Sequence, residues 1–97
     1  MQIRLASPGY IYVDGNFASV NCTGVINLAQ WYLVEHTYSP SDTEKAKVYI
    51  NGQLDSTDNR AMTFANPSKM WIGGWYGNYS FVGDIDEARL SKVTRSA

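Results

Sequence analysis

Apolar and polar residues alternate in short runs along this chain, and no run keeps the three-to-four spacing of an amphipathic helix. Gly, Asn, Ser, Asp and Pro interrupt the runs roughly every eight to twelve residues, as in antiparallel sandwiches. The pattern predicts strands near Gln2–Ala6, Tyr10–Val13, Ala18–Asn21, Trp31–Tyr38, Lys45–Ile50, Met70–Gly73 and Val82–Ser91, with a weaker one around Ala61–Phe64. Asp14-Gly15 and Asn51-Gly52 are hairpin signals, the second turning the chain toward Gln53-Leu54. The expected fold is all-β, an antiparallel β-sandwich forming a single domain over residues 1–97.

Two of these strands are legible in register. The polar link Ser39-Pro40-Ser41-Asp42-Thr43-Glu44 joins them as a hairpin. Setting Tyr38 opposite Ala46 places His36 against Val48 and Val34 against Ile50, an apolar face apart from His36. The other face then pairs Thr37 with Lys47, Glu35 with Tyr49 and Leu33 with Asn51, which is mixed and solvent-like. A slip of one residue would turn Val48 and Ile50 outward. The expected core is Val34, Val48, Ile50, Ile72 and Ile85. In the last strand Phe81, Gly83 and Ile85 share one face while Ala88 and Leu90 fall on the other, so a β-bulge near Asp86-Glu87 is expected.

Composition narrows the function classes. A chain of 97 residues buries only about 60–65% of its unfolded surface, so the core is thin. The net charge is −1 and no basic run occurs, which argues against nucleic acid and against an anionic membrane surface. No apolar run approaches the ~20 residues of a spanning helix. Cys22 is the only cysteine, read as a semi-buried structural thiol. Asn21-Cys22-Thr23 and Asn78-Tyr79-Ser80 fit the glycosylation sequon, which matters only in a eukaryotic secretory path.

Three stretches, taken together, carry a resemblance. They are Leu28-Ala29-Gln30-Trp31-Tyr32-Leu33-Val34-Glu35-His36-Thr37-Tyr38, then Lys47-Val48-Tyr49-Ile50-Asn51-Gly52-Gln53-Leu54, then Gly83-Asp84-Ile85-Asp86-Glu87-Ala88-Arg89. In this order, with the Gly73-Gly74 turn between the last two, they resemble the laminin G-like, concanavalin A-like lectin and glucanase jelly roll. The resemblance implies a concanavalin A-like sandwich, here minimal or truncated, because the family's domains are usually longer. It also implies a secreted or cell-surface location within a longer protein. Related glucanases carry an Asp before a hydrophobic-Arg-hydrophobic run that helps hold a structural calcium. Asp86, before Ala88-Arg89-Leu90, matches that position, and Asp84 stands beside it; the family's other ligands have no match here. The glucanases' acidic catalytic strand has only a superficial counterpart in Asp84-Ile85-Asp86-Glu87, since Glu87 points to the opposite face.

The residues themselves offer one candidate contact site. Trp71, Trp75, Tyr76 and Tyr79 surround Gly73-Gly74 and Gly77-Asn78. Flat rings with polar neighbours such as Asn78 are what the C–H faces of sugars stack on, and exposed aromatic patches mark binding surfaces. The same rings suit a contact between chains, or plain packing over the sandwich end. The oxygen-rich stretch Asp55-Ser56-Thr57-Asp58-Asn59 reads as a loop and a second calcium candidate. His36, the only histidine, reads as a hydrogen-bonded core residue rather than a catalyst. One His with one Cys cannot make a zinc site.

The expected function is that of a non-catalytic module binding a polysaccharide or glycan. A structural or adhesion domain is the alternative, and a glycoside hydrolase a distant third. A homo-oligomer is expected, because Val82–Leu90 as an unpaired edge would be a template for another chain.

Overall fold

The computed structural model describes residues 2–6, 10–15, 18–27, 29–61 and 81–93. Six strands lie within them: β1 (Gln2–Ala6), β2 (Tyr10–Gly15), β3 (Ala18–Val25), β4 (Val34–Tyr38), β5 (Ala46–Ile50) and β6 (Gln53–Asp58). They form two antiparallel three-stranded sheets, ordered β1-β2-β3 and β4-β5-β6. The architecture is the expected all-β antiparallel sandwich.

The β4–β5 register follows from side-chain parity. Tyr38 pairs with Ala46, His36 with Val48 and Val34 with Ile50, as the apolar alternation requires. Ala46 and Val48 are completely buried, and Ile26, Val34, Tyr38 and Ile50 pack around them half-covered. Burying Val48 contributes about 1.5–2 kcal/mol. The link closes with Ser39 N–H donating to the Lys45 carbonyl at 2.8 Å. Lys47 reaches Asp42 at 3.4 Å across this link, an exposed pair of small energetic weight.

The β5–β6 turn is the Asn-Gly hairpin that the sequence signals. Ile50 pairs with Gln53, leaving Asn51 and Gly52 as the two central residues, with φ of 52° and 77°. Both values are positive, as a type I′ turn demands, and they match the right-handed twist of the flanking strands. Asn51 also extends the β4 edge: its N–H donates to the Leu33 carbonyl at 2.8 Å, and its Oδ1 accepts from Leu33 N–H at 3.0 Å.

Two bulges join the sheets. In β3, Tyr10 pairs with Val25 and Tyr12 with Asn21, so Cys22, Thr23 and Gly24 stand opposite Ile11 alone. In β6, Val48 pairs with Ser56 and Tyr49 with Leu54, so Asp55 falls outside the ladder. A bulge re-aims the side chain it carries. The Asp55 carboxylate accepts from Thr23 N–H at 2.8 Å, Gly24 N–H at 2.7 Å, Thr23 Oγ1 at 3.3 Å and the Ser56 hydroxyl. It thus takes up two donors that the β2–β3 ladder leaves over. Burial pushes the Asp55 carboxyl up, but the bonds from Ser56, Thr23 and Gly24 outweigh this and hold it below its ordinary value of 3.8. Gly24 makes the approach possible, since a Cβ there would lie 2.7 Å from Asp55 Oδ1 and 3.2 Å from Ile50 Cδ1.

Several sequence expectations are corrected. Asp14 and Gly15 belong to β2, and the strands turn beyond them, with Gly15 paired to Ala18. Asp55-Ser56-Thr57-Asp58 is strand β6 rather than a loop, because the Asn51-Gly52 turn commits the following residues to pair with β5. The segment 81–93 forms no strand, and Ile85 is half exposed rather than core. A strand pattern forms a ladder only when an edge is within reach. Ala61 lies outside any element and is exposed; the rest of Ala61–Phe64, Met70–Gly73 and the core candidate Ile72 lie outside the described residues.

His36 is on the expected face but lacks the expected hydrogen bond: its buried Nε2 has no partner. Burial lowers its pKa from the ordinary 6.5 by disfavouring the charged form. The unfolded chain therefore takes up the proton first as pH falls, and stability is lost downward from about 6.5 until the lowered folded value is passed. Urea titrations across this range are expected to show that slope in the native chain and its absence in His36→Leu. An equal slope in both would remove His36 as its source.

Candidate binding surface

The aromatic residues Trp71, Trp75, Tyr76 and Tyr79, with Asn78, lie outside the described residues. Asp84 and Asp86 lie in the segment 81–93, both exposed. One oxygen of Asp86 accepts the N–H of Glu87 at 2.8 Å. A calcium ion takes six to eight oxygens. No group of three or more His, Cys, Asp or Glu able to hold a metal ion exists among the described residues. In the former loop candidate, Asp55 is engaged by β3, and Asp58 accepts from Arg60 through both its backbone N–H, at 2.7 Å, and its guanidinium. The Arg60 bond, ahead of any burial effect, lowers the Asp58 pKa.

The structure assembles a different surface, the outer face of the β4-β5-β6 sheet. Its middle row is Glu35, Tyr49 and Leu54, set side by side by the register of both ladders. Leu33 continues the same side of β4, held at the sheet by its two bonds to Asn51. Trp31, in the segment leading into β4, is 69% exposed, while Leu33 and Leu54 are each more than half exposed. These positions face solvent because Val34, Val48 and Ile50 take the opposite side. The result is an open apolar platform with one carboxylate, Glu35, at its edge. Among the described residues, a shallow polar depression is lined by Thr43, Glu44, Thr57, Asp58, Asn59 and Arg60.

The sequence places Leu33 on this face with Glu35 and Lys47; what local pattern does not show is Leu54, which the bulge at Asp55 brings beside Tyr49.

The family model described as the concanavalin A-like lectin/glucanases superfamily, of laminin G type, matches residues 2–97. Neither a curated protein nor a solved structure matches. With the match running from the first residue of β1 to the last residue of the chain, the protein belongs to the concanavalin A-like lectin/glucanase superfamily.

Proposed function

We propose that the protein is a non-catalytic carbohydrate-binding module of a secreted or cell-surface protein. The observation that carries this reading is the exposed indole of Trp31, three residues before β4, in a chain whose β4-β5-β6 sheet also presents the Glu35–Tyr49–Leu54 row. An indole ring offers a flat apolar surface to the C–H face of a pyranose. The carboxylate of Glu35 and the amide of Asn51 at the margin supply hydrogen-bond partners for hydroxyls. Trp75 and Tyr76, with Trp71, Asn78 and Tyr79, form a second aromatic group that the sequence assigns to the same task.

Affinity electrophoresis against a panel of soluble polysaccharides, followed by calorimetry on the best ligand, tests this. Trp31→Ala and Trp75→Ala are each expected to weaken binding by about 1–3 kcal/mol, the range for an anchoring ring, with the melting temperature unchanged. Binding that neither change weakens would sink the assignment of these rings. No binding to any polysaccharide would favour the second reading, an adhesion domain. The exposed aliphatic side chains of Leu33 and Leu54 support that alternative, since leucine makes a better protein contact than a sugar contact.

A further inference from the structure

We infer that Asn51 is a site of spontaneous covalent modification, and that its bonds to Leu33 are the lock that sets the rate. Asn51 is the only asparagine of the chain followed by glycine. Glycine carries no Cβ, so its nitrogen can approach the preceding side chain closely. Asn51 and Gly52 are both exposed, and beyond the chain neighbours nothing lies within 4 Å of where a Gly52 Cβ would stand, so water reaches the turn. In the reaction the Gly52 nitrogen bonds to Asn51 Cγ and the Cγ–Nδ2 bond breaks. The Gly52 amide proton passes to solvent base, and Nδ2 leaves as ammonia. Water then opens the resulting succinimide at one carbonyl or the other. The first opening gives aspartate at position 51 and the second isoaspartate, each about 1 Da heavier than asparagine and each adding a negative charge.

Residues of a hydrogen-bonded antiparallel pair exchange two backbone bonds. Leu33 and Asn51 exchange one: Asn51 N–H donates to the Leu33 carbonyl at 2.8 Å. The return bond, from Leu33 N–H, goes to the side-chain Oδ1 of Asn51 at 3.0 Å. The side-chain amide thus stands in for the main-chain carbonyl, which the left-handed backbone of Asn51, with φ of 52°, carries out of the ladder. Ring closure needs the Asn51 torsions to bring the Gly52 nitrogen to about 3–3.5 Å from Cγ in the right alignment. The two bonds to Leu33 and the pairing of Ile50 with Gln53 hold those torsions fixed. Conversion therefore waits for this exposed end of the sheet to open, and such ends open at low free energy. Isoaspartate then makes the opening permanent. Its main chain is longer by a methylene, so Ile50 and Gln53 no longer meet across a two-residue turn, and Leu33 loses both bonds.

Peptide mapping by mass spectrometry, on the full chain aged at mildly alkaline pH in buffer and in guanidinium chloride, tests this. Conversion at position 51 is expected in both, and at least about tenfold slower in buffer, where the turn must first open. Amide exchange at Leu33 in the native chain reads that opening independently. Urea raised within the folded range is expected to speed Leu33 exchange and conversion at position 51 by the same factor. Leu33→Pro removes the N–H donor and keeps the carbonyl. With its fold checked by circular dichroism, it is expected to convert faster than the native chain in buffer and equally fast in guanidinium chloride. Asn51→Asp is expected to melt close to the native chain and the isoaspartate fraction below it, which separates the added charge from the added methylene. Conversion as fast in buffer as in guanidinium chloride overturns the lock, as does a rate that ignores Leu33 exchange. Position 51 left intact in buffer, over a time in which Leu33 exchange predicts its conversion, overturns the site.

Discussion

Val48→Asp is expected to abolish the cooperative folding of this protein. Val48 is completely buried, flanked across the sheet by His36 on one side and Ser56 on the other. Neither neighbour supplies a cation: His36 is held neutral by its burial. An uncompensated buried carboxylate costs about 3–5 kcal/mol, and losing the valine adds about 1.5–2 kcal/mol. A small domain has only about 5–15 kcal/mol in total, and a thin core places this one toward the lower end. Lys47→Ala, one position away and on the other face, is expected to cost at most about 1 kcal/mol. Thermal melts followed by circular dichroism distinguish the two. A cooperative melt of Val48→Asp close to the native one would show that the register is wrong.

The second large effect is expected at Asp55. Asp55→Ala leaves the Thr23 and Gly24 N–H groups without their acceptor and should cost about 2–3 kcal/mol, the range for bonds to a charged group. Asp55→Asn keeps one acceptor oxygen but turns an NH2 toward a backbone donor, and should lie between the two. The pH dependence has a definite sign. Asp55 titrates below its ordinary 3.8 in the folded chain, so its contribution is complete above that value and is lost as pH falls through the lowered one. Asp55→Asn should lack that acid-side step while keeping the one from His36. Gly24→Ala should imitate Asp55→Ala at neutral pH, because its methyl group would displace the carboxylate. Equal unfolding free energies for native and Asp55→Asn chains would show that the carboxylate does not join the sheets.

What the sequence made legible was local. β1 coincides with the expected Gln2–Ala6, and the β4–β5 pairing is the expected one residue by residue, because alternation and a short polar link leave few registers open. The Asn51-Gly52 turn was equally plain, since only that chemistry sits easily at two successive positive φ values. The polar residues after it suggest a loop, but polarity alone does not exclude an edge strand. Ser56 and Asp58 instead pair with β5 at the margin of the sheet, where polar side chains still reach partners. The meeting of Asp55 with Thr23 and Gly24 joins positions 32 and 31 residues apart and depends on a bulge in each strand, which no local pattern encodes. The terminal segment shows the converse. Its alternation predicts a strand with a bulge, yet it forms no strand, because a strand needs a neighbour and pattern alone does not say where that neighbour is. The exposed Leu54 beside Tyr49 is illegible for the same reason as the Asp55 contacts: it depends on a bulge.

The carboxylate between the sheets also orders events in time. Hairpins such as β5–β6 close within about 1–10 μs, and the three strands β4, β5 and β6 are consecutive in the chain. Asp55 finds Thr23 and Gly24 only after a loop of some thirty residues has closed, at an entropy cost that the hairpins do not bear. Contacts formed after the rate-limiting step leave the refolding rate almost untouched and set the rate of unfolding instead. Asp55 therefore governs how long the folded protein lasts more than how quickly it is made. In stopped-flow traces of the Asp55 variants, the lost stability should appear almost wholly in the unfolding arm.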